Sequence, residues 1–195
     1  MQAAKQTLRK QIKLKLKNMT DAERTSQTSS VVQKLLRHKK YKESSRISVY
    51  LSMANEIQTS EILAHALGAG KKVYIPKYVG ENMDMVRLAS MDDYNSLPET
   101  KWKIKQPPDA DVSRENALDS GGLDLIVVPG VGFTPSGDRL GHGKGYYDTY
   151  IEKANKIKIP YLIGLAYSVQ MCETIPTSDH DKPLNEVLTC DKPDN

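Results

Sequence analysis

Residues 137–148 read "GDRLGHGKGYYD", with four glycines, four charged side chains and two tyrosines in twelve positions. Glycine lets successive backbone N–H groups converge on an anion and lets the chain approach it closely. Arg139 can grip phosphate oxygens through two parallel donors, and Lys144 supplies a compact charge. A helix opening at 146 would add unpaired N–H groups and a partial positive charge to the same spot. The chemistry indicated is phosphate recognition. The stretch is not a Walker loop, which needs glycine at Asp138 and a hydroxyl at Gly145, nor a dinucleotide fingerprint, because Gly130-Val131-Gly132 runs on to Pro135. Six of the twelve glycines lie between Gly130 and Gly145. A solvated surface loop would carry the same residues, so the residue types alone leave both readings open.

Asp148 also has two readings. It can sit in the first turn of a helix, where the dipole favours an acid, or it can hold Mg²⁺ against bound phosphates. The loop "SDHDKP" (178–183) offers Asp179 and Asp181 as a second carboxylate. Spacing does not choose between these roles.

Six basic side chains fall within residues 5–17. On a helix, Ala4, Leu8, Ile12, Leu16 and Met19 share one face. Lys5 falls inside that arc and Arg9 at its edge, so both can reach an anion held against the core. Lys10, Lys13, Lys15 and Lys17 point toward solvent, and Leu14 sits on the polar side.

The elements that must position these groups alternate. Helices are expected over 3–18 and 21–38, the second opening on a Thr20/Glu23 capping box. Strands are expected at 46–52, 71–76, 83–89 (an edge), 123–130, 161–167 and 185–189, with helices at 60–68 and 146–155. Residues 92–122, rich in proline and glycine around Trp102, read as an irregular excursion. "LDLIVVPG" (123–130) is a continuous apolar run, as in a strand buried on both faces. This alternation predicts an α/β fold: three layers, a mostly parallel sheet with helices on both faces. Ligands of such sheets bind at the carboxyl ends of strands, where the glycine loop lies.

The chain has 195 residues, enough for a single domain over 1–195 with a sizeable core. Hydrophobic residues make up 38% and charged residues 27%, which excludes a disordered chain. No apolar run approaches the roughly 20 residues of a membrane span. Cys172 and Cys190 read as reduced thiols in a cytoplasmic protein. The acid-free segment before Asp21 is also compatible with a transit peptide. A net charge of +4 favours anionic partners.

Together these features resemble the 5-formyltetrahydrofolate cyclo-ligase (5,10-methenyltetrahydrofolate synthetase) family. The likeness runs through "KQTLR" (5–9), "YLSMANEI" (50–57), "VYIPKY" (73–78), "MDMVRL" (83–88), Trp102, "DLIVVPGVGFTPSGDRLGHGKGYYD" (124–148) and "HDKPLNEVLT" (180–189). It implies ATP- and Mg²⁺-dependent closure of 5-formyltetrahydrofolate, by a monomer without nucleic-acid or membrane partners. It further implies ATP contacts at Lys5, Arg9, Arg139, Leu140, Gly141, His142, Gly143, Lys144, Gly145, Tyr146 and Tyr147, with Lys144, Arg139 and Tyr147 serving catalysis. Folate contacts are implied at Leu51, Glu56 and Trp102 and along His142–Tyr146, and Mg²⁺ ligands at Asp148 and Asp181. Whether the folate carries a polyglutamate tail is left open. His142 stands where some relatives have arginine, and Asn185 where a related pattern has aspartate.

Two other readings compete on residues alone. A nucleic-acid-binding protein would use the basic first helix and show steep salt dependence. A sugar or nucleoside kinase would use the same loop with an alcohol acceptor.

Overall fold

The computed structural model describes residues 1–100 and 104–190, so Trp102 lies outside the described residues. A six-stranded sheet runs β3-β2-β1-β4-β7-β8. Its strands are β1 (Arg46–Val49), β2 (Lys72–Val79), β3 (Asn82–Leu88), β4 (Leu125–Val128), β7 (Tyr161–Ala166) and β8 (Glu186–Thr189). All neighbours are parallel except β2 and β3, which form an antiparallel hairpin at one edge. A two-stranded ribbon, β5 (Gly132–Phe133) and β6 (Arg139–Leu140), stands apart from the sheet.

Leu125, Ile126, Val127 and Val128 of β4 are all fully buried. Successive strand residues face opposite sides, so both faces of the sheet are covered. Helix α4 (Ser60–Gly68) packs on β2, α6 (Tyr146–Asn155) on β3, and α2 (Asp21–Arg37) on β8. The core is one cluster extending from Ile12 of α1 (Gln2–Lys17) to Leu188.

The capping box forms as expected: Thr20 Oγ1 accepts from the Glu23 N–H, and Glu23 Oε2 accepts from the Thr20 N–H at 2.7 Å. Two short helices were not anticipated, α3 (Lys39–Glu43) and α5 (Met91–Ser96). Each spans barely more than one turn and is set by a local cap. His38 Nδ1 accepts from Lys40 N, and Ser90 Oγ accepts from Asp93 N. The first strand stops at Val49 instead of 52. Thr59 Oγ1 donates to the Tyr50 carbonyl and the Tyr50 hydroxyl to the Ile57 carbonyl, which closes residues 50–59 into a loop. The second strand instead runs on to Val79. Pro76 is tolerated because the β1 pairing already ends at Tyr74, so no N–H is needed on that side. The strand order reverses between β1 and β4. One leads outward to β2 and the other to β7, so a crevice opens at their carboxyl ends.

Candidate active site

Two loops border that crevice. The 50–59 loop leaves β1, and residues 129–145 leave β4. In the first, Glu56 is buried; its Oε2 accepts from the Met53 N–H at 2.8 Å, and its backbone carbonyl accepts from the buried Tyr167 hydroxyl at 3.0 Å. Its other oxygen, Oε1, accepts from Nε2 of His142 across the crevice at 3.2 Å. Leu51 is buried at the base of the same loop.

The glycine-rich stretch divides into two parts. Gly130, Gly132 and Gly137 are packing positions, outside the set Gly141, Gly143 and Gly145 expected to meet the nucleotide. A Cβ on Gly132 would lie 2.6 Å from Ile12 Cδ1, and one on Gly137 would lie 2.2 Å from the Leu184 carbonyl oxygen. Gly132 thus lets α1 dock. Leu140 is turned inward. Its side chain is 1% exposed, and its carbonyl accepts from the Val131 N–H, so it belongs to the ribbon and core and offers no side chain to a ligand. Residues 142–145 are exposed, with Gly141 half-buried beside them, while Gly130, Gly132 and Gly137 are buried. Gly143 has φ +103°, and Gly145, the N-cap of α6, has φ +71° with no side-chain capping bond. The first N–H groups of α6 therefore remain available to an anion. Lys144 is exposed in this segment and makes no ion pair among the described residues.

Helix α1 brings its inward basic residues to the loop, held by the burial of Ile12 and Leu16. Arg9 Nε donates to the Gly141 carbonyl at 2.8 Å, and the Arg9 guanidinium faces Gly143. Lys5 Nζ lies 2.6 Å from Asp181 Oδ2. Lys10, Lys13, Lys15 and Lys17 are exposed, as is Leu14.

The charged groups pair with one another. Arg139 Nη2 bonds both oxygens of Asp148 at 2.9 Å, and Nη1 donates to the Pro129 carbonyl. Arg139 Nε is buried without a partner. Asp148 Oδ1 also accepts from the Lys182 N–H, so the 178–183 loop is tied to α6. Asp138, Arg139, Ser178, Asp181 and Lys182 border a cavity of about 200 Å³. Burial would raise the Asp181 carboxyl, but Lys5 and the Ser178 N–H and hydroxyl outweigh it and hold the pKa below the usual value. Asp148 and Asp181 are hard oxygen donors at one rim. No group of three or more His, Cys, Asp or Glu converges among the described residues. Such a set fits Mg²⁺, which takes one or two carboxylates and completes its shell with phosphate and water oxygens. Asp179, the other acid of that loop, has no bond to this cluster.

Tyr147 is buried with its hydroxyl unbonded. Burial, then the nearby Tyr78 hydroxyl and Glu56, push its pKa well up. Tyr78, beside Tyr146 and Tyr147, was not among the expected site residues. Its ring meets Tyr146 edge-on, centroids 5.0 Å apart at 62°, and the Tyr146 hydroxyl donates to the Gly80 carbonyl. The available signal was its place at the carboxyl end of β2. Asn185 is structural: its N–H donates to the Leu162 carbonyl and its Oδ1 accepts from the Leu162 N–H, extending the β7–β8 ladder. A larger cleft, about 400 Å³ between α2 and residues 54–61, contains none of the expected site residues.

The sequence matches the 5-formyltetrahydrofolate cyclo-ligase family over residues 1–190. A mouse 5-formyltetrahydrofolate cyclo-ligase is 44% identical across 98% of this chain and 96% of its own length. A Caenorhabditis elegans protein named as a probable member is 41% identical across 94% of this chain and 91% of its own. The solution structure of Aquifex aeolicus 5,10-methenyltetrahydrofolate synthetase superposes with a TM-score of 0.76 at 28% identity, covering 98% of this chain and 94% of that one. A Mycoplasma pneumoniae synthetase shares the fold, with a TM-score of 0.74 at 21% identity over 96% and 99% of the two chains. With the match unbroken from the inward basic residues of α1 to the last strand, the chain belongs to the 5-formyltetrahydrofolate cyclo-ligase family.

Proposed function

We infer that this chain converts 5-formyltetrahydrofolate to 5,10-methenyltetrahydrofolate, consuming ATP and releasing ADP and phosphate. The observation that carries the reading is the crevice between β1 and β4. Its folate-side carboxylate, Glu56, and its basic glycine loop face each other there and touch through His142.

The chemistry accounts for the residue types. A formyl oxygen on nitrogen is amide-like and leaves poorly. When it attacks the γ-phosphorus, ADP departs, and the oxygen becomes part of a phosphate ester. N10 then attacks the formyl carbon, loses its proton, and phosphate carries the oxygen away as the ring closes. The protein must align the reactants and neutralise charge as it develops. No protein nucleophile is required.

Arg139 and Lys144 serve the transferred phosphoryl group, with Lys5, Arg9 and the N–H groups of Gly141, His142, Gly143, Gly145, Tyr146 and Tyr147 holding the nucleotide. Buried Tyr147 shapes the wall beneath the loop. Glu56 accepts from the donor pair formed by the pterin 2-amino group and its neighbouring ring N–H. Leu51 and Tyr146 line the ring site, together with Tyr78. Asp148 and Asp181 would hold Mg²⁺, which would supply positive charge against that of the phosphates. These two carboxylates are paired with Lys5 and Arg139, which hold them at the rim where a metal would bind.

We take residues 1–190 with the remaining tail as one cyclo-ligase domain acting as a cytoplasmic monomer, without nucleic-acid or membrane partners. Two free cysteines agree with a reducing compartment, and no described helix is long and apolar enough to cross a membrane. The test is direct. Methenyl-folate absorbance should grow when protein, 5-formyltetrahydrofolate and Mg·ATP are mixed, and should not grow if any one is omitted. ATP consumption with simple alcohols in place of the folate would instead establish a kinase.

A further inference from the structure

His142 and Glu56 belong to opposite walls of the crevice, 86 residues apart in sequence, yet Nε2 and Oε1 are 3.2 Å apart. A carboxylate oxygen only accepts, so the imidazole nitrogen donates. Glu56 is 6% exposed and its Oε2 is taken by the Met53 N–H. The oxygen left for a ligand is the one His142 covers. His142 itself is exposed, in the open 141–145 segment next to glycines that allow it to move.

The same segment is tied to the nucleotide side. Arg9 Nε holds the Gly141 carbonyl, one residue before His142, and its guanidinium faces Gly143, one residue after. An anion drawn to the Arg9 guanidinium and the loop N–H groups would act on the backbone on both sides of His142. A buried carboxylate is costly to leave without donors, so in the absence of a ligand His142 stays where it is.

We propose that His142 is a coupling residue: it caps Glu56 in place of the pterin donors, and nucleotide binding draws it away, so that the nucleotide tightens folate binding. The proposal rests on Glu56 being the pterin acceptor. Folate binding without nucleotide must displace His142 and leave it without its acceptor. With nucleotide present, the displaced imidazole has a phosphate to donate to. Linkage is reciprocal, so the folate tightens nucleotide binding by the same factor.

Equilibrium calorimetry with 5-formyltetrahydrofolate, with and without the non-hydrolysable imido analogue of ATP plus Mg²⁺, tests this. In the unaltered protein the analogue should tighten folate binding about tenfold, within the usual range of coupling. His142→Ala should bind folate more tightly than the unaltered protein when no nucleotide is present, and the analogue should then change its affinity less than about twofold. Coupling retained in His142→Ala, or weaker nucleotide-free folate binding in that variant, overturns the proposal. Glu56→Gln separates the two levels. If it binds folate as tightly as the unaltered protein, Glu56 is not the pterin acceptor and the underlying reading fails. If it binds weakly while His142→Ala keeps full coupling, only the role of His142 falls.

Discussion

Arg139 and Asp148 hold each other through one nitrogen, Nη2, which is 2.9 Å from both carboxylate oxygens. The arginine side chain is 5% exposed and the aspartate 21%. One side of the candidate phosphate site and one side of the candidate metal site are thus a single ion pair in the free protein. A substitution at either residue therefore acts on stability as well as on the candidate site.

Asp148→Asn should abolish most turnover and also destabilise the fold by about 1–3 kcal/mol, since the buried guanidinium loses its charged acceptor. Replacing both members, with Arg139→Met and Asp148→Leu together, should restore much of the stability while leaving the protein inactive. Thermal melts and turnover on the three proteins check this. A stable, fully active Asp148→Asn would remove the residue from the mechanism.

The two faces of α1 should separate in kinetics. Lys5→Ala and Arg9→Ala are expected to raise the KM for ATP or lower kcat by about tenfold or more, the loss of one charge-assisted contact. Lys13→Ala and Lys17→Ala, both exposed, should change either constant less than about twofold. Equal effects at all four positions would mean diffuse electrostatics, and oligonucleotide binding with a steep salt slope would then have to be measured.

Two glycines of the opening stretch should fail in different ways. Gly143→Val adds a branched side chain at φ +103° on the open loop, at a backbone cost of about 1–3 kcal/mol, and should lose activity far beyond that penalty. Gly137→Ala drives a Cβ to within 2.2 Å of the Leu184 carbonyl oxygen and should act through stability, at or above the upper end of the usual 0.5–3 kcal/mol, about what a buried clash costs. Melting temperature and turnover measured on both variants should rank them in opposite order.

Acid should reveal a further carboxylate contact away from the site. Glu115 accepts from the Tyr74 hydroxyl at 2.6 Å and from Arg46, and the Tyr74 bond, with help from Ser120 and Arg46, lowers its pKa from 4.5 to about 2. A depressed carboxyl stabilises the fold fully above its unfolded value and progressively less as pH falls toward the folded one. The unaltered protein should therefore exceed Glu115→Gln in melting temperature at pH 6, with the gap closing between 4.5 and about 2. A gap that does not vary with pH would show that the charge on Glu115 contributes nothing.

Much of this protein was legible along the chain because its signals are local. β4 declared itself as an apolar run, since a strand covered on both faces needs no polar side chains. The Thr20/Glu23 box depends on a spacing of three residues. The inward set of Lys5 and Arg9 followed from helical periodicity, because Ile12 and Leu16 fix which side of α1 is buried. What the sequence could not decide depended on residues that meet only after folding. Gly132 and Gly137 carry no sign that they are filled by Ile12 and Leu184 instead of a phosphate. Leu140 looks like part of the loop until the β5–β6 ribbon turns it into the core. Tyr78 meets the Tyr146 ring only when the β2–β3 hairpin carries it there. The pairs Lys5–Asp181 and Glu56–His142 join segments from across the chain, and Arg139–Asp148 joins β6 to the first turn of α6. Their strength comes from burial, and burial is a property of the assembled sheet and loops.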